Sequence, residues 1–227
     1  MDSAKAALSA SAVNELLKKN IQSLGIGSGT TIQFFIEELS HTTRKFIVVP
    51  TSTDTEIRVS SKEFCLSIES SGLSPDLAID GTDEIERTSG WLLKGGGGAL
   101  TREKIVAYSA EEFWILADSS KMVEKLGAKR SIPVEVLRFG WKRAKYLIEE
   151  LGGKCELRQA SEKLGPVITD NGNFLLDFQP TRGWDPKEME QTLKLIPGVV
   201  ENGIFTRTPD RLFIADDKTV KILSFKT

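Results

Sequence analysis

Histidine is almost missing from this chain: His41 is the only one in 227 residues. It stands between Ser40 and Thr42 in a polar linker. Cysteine is nearly as scarce, with only Cys65 and Cys155, far apart in the sequence. A catalytic zinc or iron centre usually draws several ligands from these two residue types, so the chain is poorly equipped for one. A Ser-His nucleophile pair would hang on a single loop histidine. Two distant cysteines make no disulfide framework, and a reduced pair is expected. Nor is there an excess of one charge. Lys and Arg number 30 against 32 Asp and Glu, which leaves no basic footprint for nucleic acid. No apolar run approaches the ~18 residues that signal a membrane-spanning helix. Residues 1–20 lack a basic start followed by an apolar block, so no secretory leader is expected and the chain reads as cytoplasmic.

What is present suits a globular protein of one large domain or two small ones. Residues 2–19 read as a helix, with Ala6, Val13, Leu16 and Leu17 on one face. Short apolar strands are expected at 21–26, 46–49, 66–68, 77–79, 91–93 and 113–117. Helical patterns at 30–39, 53–61 and 100–112 alternate with them. That alternation predicts an α/β, Rossmann-like domain built on a parallel sheet. Ligands of such sheets sit beyond the carboxyl ends of the strands. The polar clusters of this chain follow its strands.

The pattern changes after Lys129. Strands are expected at 134–137, 155–158, 167–169, 174–178 and 199–205, with a helix at 141–151. Asn171-Gly172 is a hairpin signal. Asp185-Pro186 opens another helix, because Asp caps a helix start and Pro suits its first turn. The order approaches βαββαβ, a smaller ferredoxin-like α+β domain. Residues 212–214 and 220–223 make a last strand pair that rejoins the first domain. The expected division is 1–130 with 206–227 for the Rossmann-like catalytic domain, and 131–205 for the ferredoxin-like domain.

Four segments carry chemistry. Gly25-Ile26-Gly27-Ser28-Gly29-Thr30-Thr31 joins a strand to a helix. Its glycines let the backbone turn and expose N–H groups, and a helix N-terminus favours an anion. This suits phosphate, with a plain strand-to-helix connection as the alternative. It is no dinucleotide fingerprint, because the third glycine comes too early, and no Walker loop, because no Gly-Lys-Ser/Thr follows. A nucleotide-dependent oxidoreductase is thereby set aside.

Asp80-Gly81-Thr82-Asp83 places two carboxylates at a strand end, either for sugar hydroxyls and proton transfer or as a solvated turn. Lys94 precedes four glycines, 95–98. Such a run is costly in chain entropy and fits close approach of backbone to a ligand. Glu103 falls in the first turns of the following helix, whose dipole favours a carboxylate, catalytic or merely surface-placed. Asp118-Ser119-Ser120-Lys121 offers a further cation, or a helix cap.

Together these stretches resemble the type A ribose-5-phosphate isomerases. The resemblance runs through residues 24–31, 77–85, 93–107 (LKGGGGALTREKIVA), 115–121, 132–137, 169–177 (TDNGNFLLD) and 196–205. It implies interconversion of ribose 5-phosphate and ribulose 5-phosphate with no cofactor. It implies Glu103 as the base, Asp80 and Asp83 as the paired acids, and Lys94 as the loop lysine. Gly27, Ser28, Gly29, Thr30, Thr31, Gly81, Thr82, Gly95, Gly96, Gly97 and Lys121 would bind substrate. Lys5, on the first helix, would reach the phosphate. With metal ligands so scarce, an enediol route is expected rather than a hydride shift. The resemblance also implies a homodimer or homotetramer. A non-catalytic sugar-phosphate sensor is the alternative; it would not need Lys94 and Glu103 together.

Overall fold

The computed structural model describes residues 2–62, 65–66, 74–181, 183–216 and 219–225. Helix α1 (Asp2–Leu17) is followed by β1 (Ser23–Ile26), α2 (Thr30–Ser40), β2 (Ile47–Pro50), α3 (Thr53–Ser60), β3 (Cys65–Leu66) and β4 (Leu77–Asp80). Two short strands, β5 (Glu84–Glu86) and β6 (Leu92–Leu93), precede α4 (Leu100–Ser109), β7 (Glu112–Asp118) and β8 (Met122–Val123). Then come β9 (Ile132–Val136), α5 (Trp141–Glu149), β10 (Gly153–Leu157), β11 (Phe174–Pro180) and α6 (Pro186–Lys194). The chain ends in β12 (Val199–Asn202), β13 (Ile204–Phe205), β14 (Arg211–Asp216) and β15 (Thr219–Leu223). Among the described residues no helix is long and apolar enough to cross a membrane. Two compact units emerge: Met1–Thr82 with Arg102–Met122 and Thr208–Thr227, and Asp83–Thr101 with Val123–Arg207.

The first unit is built on a sheet of order β15-β14-β7-β4-β1-β2-β3. Its neighbours run parallel, except the β14–β15 hairpin at one edge. All four residues of β1 and of β4 are buried, as strands covered on both faces must be. Helix α1 buries Leu8, Ala12, Val13 and Leu16, and α2 buries Ile32, Phe35, Ile36 and Leu39. Both sets follow the i, i+3, i+4 spacing of an apolar stripe. Trp114 and Phe213, on neighbouring strands, pack 5.4 Å apart at the centre of this core. Because the strands are parallel, Ile26, Pro50, Asp80 and Asp118 end on one rim.

The second unit contains β9-α5-β10-β11-α6-β12, with sheet order β10-β11-β9-β12 and antiparallel neighbours. This is the ferredoxin-like arrangement. Helix α5 buries Ala144 and Ile148, and α6 buries Met189 and Leu193. Asp185 caps α6 by accepting the Glu188 N–H at 2.8 Å. A second small sheet has the order β13-β6-β5-β8.

Several expected elements differ in detail. The single strand expected at 199–205 is two strands in two sheets, broken at Gly203. There the Gly203 N–H donates to Pro133 O and its carbonyl accepts from Lys94 N, both at 2.8 Å. A Cβ on Gly203 would lie 2.2 Å from Lys94 O, so only glycine lets the chain cross here. The helix expected at 100–112 stops at Ser109, because the Glu111 and Glu112 N–H groups turn to Pro75 O and Asp76 O beside β4. Residues 167–169 are not a ladder strand; a lone bridge pairs Ile168 with Phe174. The Asn-Gly turn closes with Gly172 N–H donating to Thr169 O at 2.8 Å and Gly172 at φ 77°. That is the three-residue hairpin with glycine in the left-handed position. Of the strand expected at 66–68, residues 67–68 lie outside the described residues.

Cys155 is a free thiol with no exposed surface on β10. Burial pushes its pKa up to about 12. At pH 8 such a group is roughly one part in ten thousand thiolate, the nucleophilic form. Iodoacetamide at pH 8 should therefore leave Cys155 unmodified in the native protein and label it once urea unfolds the chain. Peptide mass spectrometry reads both states; fast native labelling would contradict this packing.

Candidate active site

In the first unit the candidate residues meet at the strand-end rim. β1 gives way to the glycine loop, whose Gly27 N–H donates to Ile79 O of β4 at 2.9 Å. That places the loop against Asp80, the last residue of β4 and only 3% exposed. Asp80 Oδ1 accepts the Ser28 N–H at 3.2 Å and the Gly81 N–H at 2.7 Å. A Cβ on Gly27 would fall 1.8 Å from the same oxygen. The carboxylate thus occupies the space that a side chain at 27 would need.

Ser28 ties a second acid to this one. Its hydroxyl donates to Glu103 Oε1 at 2.6 Å. Glu103 lies in the first turn of α4 and is 6% exposed, so its carboxylate is largely withdrawn from water. Ser28, expected among the phosphate ligands, is here engaged by its N–H with Asp80 and by its hydroxyl with Glu103.

Beyond Ser28 the loop becomes exposed. Gly29 takes φ 93°, ψ 173° at the start of α2, and no side chain caps that helix. Its first turn carries no acidic residue. Uncapped amide groups at a helix N-terminus attract anions. Lys5, from α1, reaches the same turn and donates to Thr30 Oγ1 at 3.0 Å. Thr55, from α3, holds the loop from behind by donating to Gly27 O at 2.6 Å. Thr31 is half-buried in the same first turn; Thr82 is half-buried just past Gly81. Lys121 sits half-buried at the end of a 3-10 turn that follows β7 and is capped by Asp118 accepting from Ser120 N.

In the second unit Lys94 is 3% exposed, with Nζ 5.7 Å from the centre of the Phe205 ring. The following loop needs its glycines for two reasons. Gly95 and Gly98 have φ of 98° and 85°, which L side chains rarely adopt. A Cβ on Gly96 would lie 2.6 Å from Asp83 Oδ1. The Gly96 N–H donates to Asp83 Oδ2 at 2.7 Å, so the second expected acid is held by the glycine run itself. Gly97 has open space where a side chain would be.

One cluster escaped sequence reasoning. Glu135 of β9 is fully buried. It accepts hydrogen bonds from Thr169 Oγ1 at 2.8 Å, Asn171 Nδ2 at 3.1 Å, Asn173 Nδ2 at 2.8 Å and the Thr101 hydroxyl. Buried charge must be compensated in this way. Polar residues at alternate positions 169, 171 and 173 were the available signal; their shared target, 34–38 positions away in sequence, was not visible. Thr101 stands in the first turn of α4, two residues before Glu103. Among the described residues no three His, Cys, Asp or Glu side chains form a group that could hold a metal ion.

The parallel sheet, with buried carboxylates and an uncapped helix at its strand-end rim, defines an α/β protein whose candidate site combines acids with an anion-attracting turn. The chain belongs to the ribose 5-phosphate isomerase A (phosphoriboisomerase A) family, whose model matches residues 47–219. A ribose-5-phosphate isomerase A from Methanocaldococcus jannaschii is 41% identical over 211 residues, covering 91% of this chain and 92% of that one. A solved structure of ribose 5-phosphate isomerase A from that organism has a TM-score of 0.92 at 39% identity and covers 99% of both chains. A D-ribose-5-phosphate isomerase solved in complex with phospho-erythronic acid has a TM-score of 0.89 at 35% identity, again over 99% of both.

Proposed function

We propose that this chain interconverts D-ribose 5-phosphate and D-ribulose 5-phosphate through an enediol, without a metal or cofactor. The observation that carries this is the Ser28 bridge: its N–H binds Asp80 and its hydroxyl binds Glu103, within the loop that opens α2. A base and a second acid are therefore tied by hydrogen bonds to the short stretch of backbone that opens an anion-attracting helix start.

The roles follow from the chemistry. An aldose–ketose shift removes a proton from C2 and delivers one to C1. Glu103 takes and returns it. Lys94 meets the negative charge that develops on the carbonyl oxygen, the kind of electrostatic contribution that is usually large. Asp80 and Asp83 accept hydrogen bonds from sugar hydroxyls and assist ring opening. Lys5, Gly29, Thr30, Thr31 and Lys121 bind the phosphate, whose binding energy orients the distant reacting carbons. Gly27, Gly81, Thr82, Gly95, Gly96 and Gly97 shape the backbone around the sugar. The relative solved with phospho-erythronic acid supports the substrate class: a phosphorylated sugar acid carries charge at both ends, as an enediolate phosphate would. The family resemblance also supports a cytoplasmic homodimer or homotetramer with no nucleic-acid or membrane partner.

Isomerisation in heavy water tests the proton route. Ribulose 5-phosphate formed there should carry solvent deuterium at C1, read by proton NMR, at a rate unchanged by a chelator. Complete retention of the substrate's C2 hydrogen would reject the enediol in favour of a hydride shift.

A further inference from the structure

The glycine run after Lys94 has a partner outside the four segments that carry chemistry in the sequence. Arg158 follows β10, and its side chain is 18% exposed. Its Nε donates to Asp177 Oδ2 at 2.9 Å and its Nη2 to Asp177 Oδ1 at 2.5 Å. That is a two-pronged pair, which fixes the guanidinium plane as well as its position. Asp177 is itself rigidly placed, on the central strand β11 opposite Pro133 of β9 and Glu156 of β10. The remaining prong points at the loop: Nη1 donates to Gly95 O at 3.0 Å and to Gly96 O at 3.1 Å.

The Gly95–Gly96 backbone is therefore gripped from two sides. Arg158 holds two successive carbonyls, and Asp83 holds the Gly96 N–H. Four consecutive glycines have more freedom to lose than any other sequence. With no side chains to pack, hydrogen bonds restrain them: the Gly98 N–H donates to Gly95 O at 3.0 Å within the run, and the bonds to charged groups add to it from outside. We propose that Arg158 is a positioning residue: it fixes the Gly95–Gly96 peptides, and through them the placement of Lys94 and Asp83, while Asp177 fixes Arg158. The catalytic consequence rests on the isomerase function proposed above; the restraint of the loop does not.

Lysine keeps the charge but cannot make a planar fork and reach two carbonyls at once. In the full-length protein, Arg158→Lys should lower kcat for ribose 5-phosphate by about 10- to 100-fold, the cost of a small misplacement of reacting groups. The inhibition constant of inorganic phosphate should change less than about twofold, since the expected phosphate ligands are other residues. Asp177→Asn should act in the same direction. The double variant should be no worse than the poorer single one, because both remove one device. Amide hydrogen exchange across residues 95–98 should accelerate by about tenfold in each variant. Asp177→Asn, which leaves Arg158 in place, carries the test if Arg158→Lys does not fold.

Unchanged exchange at 95–98 overturns the proposal, whatever the catalytic result. So do single-variant losses that multiply in the double variant. So does a loss of activity that only tracks the unfolded fraction seen by circular dichroism. A wild-type protein without isomerase activity, but with exchange that responds to Arg158→Lys, would instead sink the proposed reaction and leave the clamp standing.

Discussion

Glu103→Gln should lower kcat for ribose 5-phosphate by about a thousandfold or more, near the upper range for loss of a positioned base. The substitution is chosen because it changes little else. Glutamine has nearly the same volume, and its side-chain oxygen can still accept the Ser28 hydroxyl that now donates at 2.6 Å. The first turn of α4 is held separately, by Thr101 on Glu135. The variant should therefore fold normally and keep its affinity for inorganic phosphate within about threefold, since the amide cannot take the C2 proton but obstructs nothing. Ribulose 5-phosphate formation measures kcat, and competitive inhibition by phosphate measures the site. A variant that turns over within tenfold of wild type would remove Glu103 from the role of base. Loss of phosphate inhibition with loss of turnover would show that the carboxylate shapes the site rather than moving a proton.

Legibility in the sequence followed the range of the cause. Elements set by local patterning, such as α2 with its apolar stripe or the Asp185 cap of α6, are evident from a few neighbouring residues. So are the position of Asp80 at the end of β4 and that of Glu103 in the first turn of α4, because a following glycine flags the one and a preceding run of glycines the other. Elements decided by a distant partner are not. The split at Gly203 depends on Lys94 and Pro133: Asn202-Gly203 can mark a break in the strand, but not that the chain changes sheet there. The early end of α4 depends on carbonyls at 75 and 76. Arg158 and Glu135 look like ordinary strand residues with solvent-facing charge until their partners, 62 and 34 positions away, are in view. Ser28 shows the same limit at finer grain. Its place in an anion-attracting loop could be read, but its hydrogen bond to Glu103 joins residues 75 positions apart.

Gly27→Ala and Gly29→Ala separate the two halves of that loop. At Gly27 the obstacle is a carboxylate. The new methyl would lie 1.8 Å from Asp80 Oδ1 and 2.0 Å from its Cγ, so something must shift. Asp80 is held by two backbone N–H groups, and Ser28, which supplies one of them, also holds Glu103. Relief of the overlap must break this arrangement. Overpacking of this kind costs about 1–3 kcal/mol in stability. The larger effect should be on turnover, about a hundredfold or more in kcat per folded molecule, because both acids lose their common anchor. At Gly29 there is open space, but φ 93° with ψ 173° is backbone that essentially only glycine adopts. Alanine there should cost about 1–3 kcal/mol by strain alone. For a chain of this length that lowers the melting temperature by about 2–4 °C per kcal/mol. Its catalytic effect should fall on KM, because the uncapped amides of α2 move while Asp80 and Glu103 stay. Steady-state kinetics with thermal melting distinguishes the pair. Wild-type kcat in Gly27→Ala would mean that Asp80 can leave its place without consequence, and would take it out of the reaction.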